Sequence, residues 1–575
     1  MGNRPTTIAP PVAAVGGISR RLFVQGVGGS TIALAAGGRR ARGYDAPPPA
    51  VLRGTQFDLE IGSLAVNFTG RPRLATAVNG QVPAPLLRWR EGDLISVRVR
   101  NRLAVPTSIH WHGLLLPANM DGVPGLSFDG IDAGATFTYK FRAQQSGTYW
   151  YHSHARFQEQ TGLYGPIIIE PASGERHTVQ RDYVVLLSDW TDEDPEHIYA
   201  TLKRDSEYFN FAQRTVGDFV AAARARGWRE AFAQWRLWGQ ARMDPTDLVD
   251  VSGYTYTYLM NGVTPAGNWS GEFERGERVK LRFINGSSMS FFDVRIPGLA
   301  MTVVAADGQD VDAVTVEEFR IGAGEVYDVI VQPPQHEPYT IFAQSMDGSG
   351  YARGTLAPRA GMRAPIPAMD PRPQLSMADM GMRDDMASMP AMVRAQPRHA
   401  GNPGVDMRVS APDDSLDDPG VGLRGNGRRV LTYADLHTLG GPLDARPPQR
   451  EIELHLTGHM QRFMWSFDGR KFSEAPPLEF LLGERLRIVL VNDSMMTHPI
   501  HLHGMWSEIE SPAGAFQVRK HTVLVRPAQK LSYCVSAIAA GRWAFHCHLL
   551  YHMEAGMFRE VTVVPAGATA PVARS

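Results

Sequence analysis

The chain has 575 residues, more than one ordinary domain holds, so several domains of about 100–200 residues each are expected. Lys and Arg number 58 and Asp and Glu 59, so net charge selects neither nucleic acid nor an acidic membrane surface as partner. Two cysteines, Cys534 and Cys547, exclude a disulfide framework, and a hydrophobic content of 43% is enough to bury real cores.

At the N-terminus, Ser19-Arg20-Arg21-Leu22-Phe23-Val24 opens a mildly apolar stretch that runs to about Ala36. A basic pair before a short apolar region reads as a twin-arginine export signal, here placed over residues 1–46. That reading predicts a periplasmic protein and the twin-arginine export machinery as a partner. The apolar stretch is glycine-rich and too short to span a bilayer permanently, and no later apolar run reaches about 18 residues. No permanent membrane span is therefore expected.

Residues 50–173 carry the first copy of a repeated pattern, GDLISVRVRN at 92–101. Alternation of Val, Leu and Ile with charged residues marks a half-buried strand. His110-Trp111-His112 follows Asn101 by nine residues, and Gly147-Thr148-Tyr149-Trp150-Tyr151-His152-Ser153-His154 comes later. Residues 178–360 repeat the strand as GERVKLRFIN at 276–285, but the matching later positions are Val294 and Ile296, and its late strand, Tyr339–Ala343, has no histidine. This domain reads as a structural spacer. Within it, residues 192–245 have few helix breakers and Pro195 in a first-turn position, which predicts a helical insertion.

Residues 361–427 are rich in Pro, Asp and Met without periodicity, which predicts a flexible linker. Met377, Met380, Met382, Met386, Met389 and Met392 cluster there. Soft thioethers prefer Cu(I), so these six are candidate Cu(I) donors, against the plainer reading of linker filler. Residues 428–566 carry the third strand copy, GERLRIVLVN at 483–492. Nine residues after Asn492 stands His501-Leu502-His503, and Gly541-Arg542-Trp543-Ala544-Phe545-His546-Cys547-His548 matches the late segment of the first domain. Three copies of one strand predict an all-β chain of three Greek-key β-sandwich domains, with the helical insertion in the second and the Met-rich linker before the third.

Residues i and i+2 of a strand face one side, so each His-x-His pair presents two imidazoles to one point. Four pairs in register with a repeat offer eight imidazoles, enough for three metal ions of the kind imidazole suits. The third domain adds His498, Cys547, His552 and Met557, where the first has Thr107, Ser153, Gln158 and Leu163. Two His, one Cys and a weak axial Met are the donor set of a blue-copper electron-transfer site. Strand alternation turns Cys547 away from His546 and His548, so the sulfur serves a different ion from its neighbours. A Cys-His-Met site has no hydrolytic use, which excludes a zinc hydrolase.

HWHG, HSH, HPIHLHG and HCHLLYHMEAGM together resemble the multicopper oxidases. SIHWHGLLLPANMDGVPG, VVLLSDWTDEDP and DVSGYTYTYLMNG resemble in particular their periplasmic copper-resistance branch, the CopA type. The resemblance implies cupredoxin-like domains, four coppers per chain, and one-electron oxidation of a reductant coupled to four-electron reduction of dioxygen to water. It implies a mononuclear copper on His498, Cys547, His552 and axial Met557. It implies a two-histidine copper on His110 and His501, and a copper pair on His112, His152, His154, His503, His546 and His548. Asp121 matches the acid such enzymes place near the cluster, which implies a proton relay. The family's Glu after the last mononuclear histidine is Met553 here, leaving Glu554 as a second candidate. The leading expectation is oxidation of Cu(I) in copper resistance, with phenols as a side substrate. A laccase-like oxidase of organic reductants and a copper-sequestering protein stay open beside it.

Overall fold

A computed structural model describes residues 49–241, 243–381, 402 and 404–565. The expected export signal at 1–46 and Met382, Met386, Met389 and Met392 lie outside the described residues. Among the described residues no helix is long and apolar enough to cross a membrane.

The chain is mostly β, in three cupredoxin-like domains, each a sandwich of two sheets. The three repeated strands explain why. Leu94–Asn101, Val279–Asn285 and Arg485–Asn492 each pair in parallel with an earlier strand of their domain and antiparallel with a later one. Each lies inside its sheet and, exposed Leu94 apart, has its apolar residues in the core.

The terminal Asn of each copy is fully buried and has a mechanical role. Asn101 Nδ2 donates to the carbonyls of Val105 and Ile131, Asn285 Nδ2 to those of Ser290 and Ile321, and Asn492 Nδ2 to those of Met496 and Val525. The Oδ1 atoms accept from the backbone two residues on, at Leu103, Ser287 and Ser494. A buried amide must be satisfied. Here that requirement turns the chain and fixes the start of the next strand of the opposite sheet, which in the outer two domains is His110–His112 and His498–Leu502.

The insertion forms three helices, α1 (Pro195–Arg204), α2 (Val216–Arg226) and α3 (Trp228–Ala241). Asp194 caps α1 through the Glu196 amide with Pro195 in the first turn, and Thr215 and Asp218 form a reciprocal cap on α2.

The segment before the third domain differs from the flexible linker expected. Its described parts lack regular secondary structure but are pinned to the body. The Leu375 amide donates to Pro245 O, Asp370 bridges Arg295 and Arg428, and Val409 N donates to Asp493 Oδ1. Met380 is 1% exposed, and Met377 packs partly buried beside the same core. Irregular backbone hides its packing from periodicity arguments. Met380 is thereby a core side chain, less free to reach an ion than Met377.

Candidate metal centre

Strands His110–His112 and Gly147–His152 pair antiparallel in the first domain, His110 opposite His152. Strands His498–Leu502 and Gly541–Cys547 do the same in the third, His501 opposite His546. The eight imidazoles of the four pairs meet where these two domains face each other. His110 stacks on His503 with ring centroids 3.9 Å apart, and His112 on His501 at 3.8 Å. Donor atoms fall into compact triads, each within 4.8 Å: His110, His112 and His501; His112, His152 and His548; His154, His503 and His546.

Six of the eight rings are held by one nitrogen, and the other nitrogen is left for the interior. His501 Nδ1 donates to His521 O at 2.6 Å, His110 Nδ1 to Asp121 O at 2.9 Å, and His546 Nδ1 to Cys547 O at 2.8 Å. His152 Nδ1 meets Glu159 Oε2 at 2.6 Å, and His503 Nδ1 meets Asp121 Oδ2 at 2.8 Å. His112 is held from the opposite nitrogen, with Nε2 3.0 Å from Thr522 Oγ1. His110 Nε2, His112 Nδ1, His152 Nε2, His154 Nε2, His501 Nε2 and both nitrogens of His548 are buried without a hydrogen-bond partner. One orphaned buried polar atom costs about 1–3 kcal/mol. So many converging on one interior fit metal ions and little else.

Electrostatics agree. Burial, and then mutual repulsion among the rings, hold His112, His152, His154, His501, His503 and His548 well below the usual imidazole range, and burial lowers His546 to about 4. Neutral imidazole is the metal-binding form.

A second site lies on the far side of Cys547. Cys547 Sγ is 3.6 Å from His498 Nδ1 and 3.9 Å from His552 Nδ1, and the two nitrogens are 3.2 Å apart. Those are the edges of a triangle around an ion with bonds of about 2.0–2.3 Å. The outer nitrogens are held, His498 Nε2 by Ser494 Oγ at 2.7 Å and His552 Nε2 by Asp250 Oδ2 at 2.6 Å. Met557 is fully buried and its backbone bonds both to Cys547 N and to His552 O, which brings it beside the triangle. Burial pushes the Cys547 thiol up, so only a strong electrophile such as a metal ion would deprotonate it there.

The first domain holds a hydrogen-bonded replica of this second site. Gln158 Oε1 accepts from Thr107 Oγ1 at 2.6 Å and from Ser153 Oγ at 3.0 Å. Ser153 N donates to Leu163 O, as Cys547 N does to Met557 O. The sequence correspondences thus share a backbone frame, with hydrogen bonds where the third domain has metal donors.

Asp121 sits where expected, its Oδ1 also 3.3 Å from His110 Nδ1. Glu554 joins none of the donor groups. Its carboxylate pairs with Arg156 at 2.8 Å, and its side chain is 21% exposed. Glu159, Asp250, Asp307 and His521 were not singled out from the sequence. Glu159, a lone acid in the run FQEQTGLYG soon after His152, and Asp250, which opens the run DVSGYTYTYLMNG, gave the only signals.

Three multicopper oxidase family profiles match residues 60–174, 181–360 and 445–567. A copper resistance protein A homolog of Pseudomonas syringae pv. tomato is 54% identical, covering 95% of this chain and 99% of the relative. Copper resistance protein A of Escherichia coli is 52% identical with the same coverage. Among solved structures, Fet3p, a multicopper oxidase that functions in iron import, matches with a TM-score of 0.63 at 18% identity, over 89% of this chain and 90% of that one. A laccase from Botrytis aclada matches with a TM-score of 0.63 at 21% identity, over 92% and 90%. At such identities the structural matches carry the fold alone.

Proposed function

The chain belongs to the multicopper oxidase family, and we propose that it oxidises Cu(I) in the periplasm, after twin-arginine export, as a copper-resistance enzyme. It is a copper-dependent oxidoreductase. Bound copper supplies one-electron uptake at one centre and the reduction of dioxygen at another.

In this reading His498, Cys547, His552 and Met557 hold the mononuclear copper. His110 and His501 hold the two-histidine copper, and the triads His112–His152–His548 and His154–His503–His546 hold one member each of the pair. Cys547 lies between His546 and His548 in the chain, so with copper bound its sulfur would be joined to the pair by two short covalent routes. Asp121 fixes the rings of His503 and His110 and is the buried carboxylate from which protons reach the cluster.

The observation that carries the choice of reductant is the surroundings of His552. Met243, Asp244, Asp205 and Glu207 line an open pocket of about 530 Å³ beside α1 and α3. From Asp244 the chain runs through buried Asp247 to Asp250, which bonds His552. Asp247 Oδ2 and Asp250 Oδ1 are buried without partners. Arg204 and Trp238 also line the pocket, but three carboxylates outnumber the one guanidinium and, with the thioether, suit a small cation. The copper-resistance naming of the relatives points the same way.

The test is oxygen uptake with Cu(I) and with a phenol, on native protein and on Glu207→Gln combined with Asp244→Asn. The reading expects KM for Cu(I) to rise several-fold with phenol turnover unchanged. Equal effects on both reductants, or none on Cu(I), would favour an organic substrate.

A further inference from the structure

The middle domain has no candidate ligand, yet one of its side chains reaches behind the cluster. Asp307 follows the strand Met301–Ala306 in a tight turn at φ 47°, and its side chain is fully buried. Its Oδ1 accepts from Val326 N at 2.9 Å, within its own domain. Its Oδ2 receives three donors from consecutive residues of the third domain: Lys520 Nζ at 3.2 Å, His521 N at 3.0 Å and Thr522 N at 3.1 Å. Lys520 is as deeply buried and is also paired with Glu325 at 3.0 Å, so one ammonium is shared by two buried carboxylates.

The residues Asp307 grips are those that hold the two stacked cluster rings. His521 O takes the Nδ1 proton of His501, and Thr522 Oγ1 bonds His112 Nε2. His521 Nδ1 also lies 3.2 Å from His112 Nε2. There is no slack around this contact. A Cβ on Gly113 would sit 2.3 Å from His521 Cδ2, one on Gly308 2.3 Å from the Tyr149 ring, and one on Gly147 2.2 Å from Gly308 O.

We propose that Asp307 is a positioning residue that sets the orientation of His501 and His112 together, so that the ligand-free domain fixes the geometry of the copper cluster. A shift of the Lys520–Thr522 backbone moves a His501 partner and a His112 partner at once, one ring from the third domain and one from the first. The domain expected to be a spacer is thereby a clamp. The inference rests on the ligand assignment above.

The experiment uses the copper-loaded full chain with Asp307→Ala and Asp307→Asn. Two readouts follow the cluster: the electron paramagnetic resonance hyperfine pattern of the two-histidine copper, and the copper retained after dialysis against a chelator. The visible thiolate–copper band reports an intact third domain. For Asp307→Ala, cluster copper should be lost roughly 10–100-fold more readily, the usual cost of removing an outer partner, with the visible band unchanged. All four donors to Asp307 are N–H groups, so Asn satisfies one side only and should give a smaller loss with an altered hyperfine pattern. Asp307→Ala with native retention and pattern would overturn the proposal. If Asp307→Ala does not fold, native behaviour of Asp307→Asn on both readouts would overturn it equally. His501→Ala separates the two levels: if it leaves cluster copper and hyperfine pattern native, the ligand assignment fails, whatever Asp307 does.

Discussion

Asp250 Oδ2 lies 2.6 Å from His552 Nε2, a hydrogen bond from the middle domain to a candidate ligand of the third in which both side chains are fully buried. It leaves His552 Nδ1 to face Cys547 and stacks the ring against Trp465 at 3.9 Å. The partner is a carboxylate and not a carbonyl, so it bears on the charge of the site as well as its shape.

Asp250→Asn should therefore raise the reduction potential of the mononuclear copper. Burial pushes the Asp250 carboxyl well above the usual range, and the His552 Nε2 proton with a bound cation behind it is what would hold it anionic. That anionic character favours Cu(II), and removing it favours Cu(I). A charge-assisted hydrogen bond is worth roughly 1.5–3 kcal/mol. About 59 mV corresponds to a tenfold change for one electron, so the rise should not exceed roughly 60–130 mV. Redox titration of the visible band measures it, and an unchanged or lower potential with the band intact would contradict the argument.

Copper-free protein should lose stability on mild acidification. The buried imidazoles are neutral when folded and take up protons at their ordinary value of about 6.5 once unfolded. For His546 the folded value is about 4, below the unfolded one, so the unfolded chain binds more protons between the two. Stability falls as pH drops from about 6.5 towards 4, at up to about 1.4 kcal/mol per pH unit for each such histidine. Below the folded value the penalty is complete. Several cluster rings are shifted in this direction, so the melting temperature of copper-free protein should drop steeply below pH 6.5. A flat profile from pH 7 to pH 5 would contradict the neutral, buried state.

His112→Ala should stop oxygen reduction while the mononuclear copper stays reducible by substrate. His112 belongs to two donor triads and stacks on His501. Anaerobic bleaching of the visible band should keep its native rate, and re-oxidation by air should fall by orders of magnitude. Native re-oxidation would place the oxygen site elsewhere.

The convergence of the candidate donors was legible in the sequence because strand periodicity is strict. A spacing of two puts His110 with His112, and a nine-residue spacing after Asn101 and Asn492 aligns the pairs of two domains. The buried Asn amides are why that spacing is fixed. The outer partners were not legible. Asp250 and Asp307 sit at positive φ in a domain without candidate ligands, more than 200 residues from the segments they hold, so even the run DVSGYTYTYLMNG that Asp250 opens does not announce its partner. The pinned linker escaped for a related reason, since Asp370 and Val409 are anchored by long-range bonds to Arg295, Arg428 and Asp493.

The last prediction concerns the hydrogen-bonded replica in the first domain. Thr107, Ser153 and Gln158 already meet on one oxygen, and Leu163 stands where the third domain has Met557. The backbone frame is shared down to the bond between Ser153 N and Leu163 O. What the first domain lacks is donor chemistry and not geometry. Thr107→His, Ser153→Cys, Gln158→His and Leu163→Met together would supply two imidazoles, a thiolate and a thioether in that frame. Made in a Cys547→Ser background, which should itself be colourless, the fourfold variant is expected to regain a visible thiolate–copper band on loading with Cu(II). The thiolate introduced by Ser153→Cys would sit between His152 and His154, as Cys547 sits between His546 and His548, so the new centre would also be wired to the cluster. Its outer ligand nitrogens would lack counterparts of Ser494 and Asp250, so the band should be weaker and the copper more easily removed, by roughly 10–100-fold. No band at all on a folded variant would mean that those outer partners, and not the strand frame, decide where the blue copper forms.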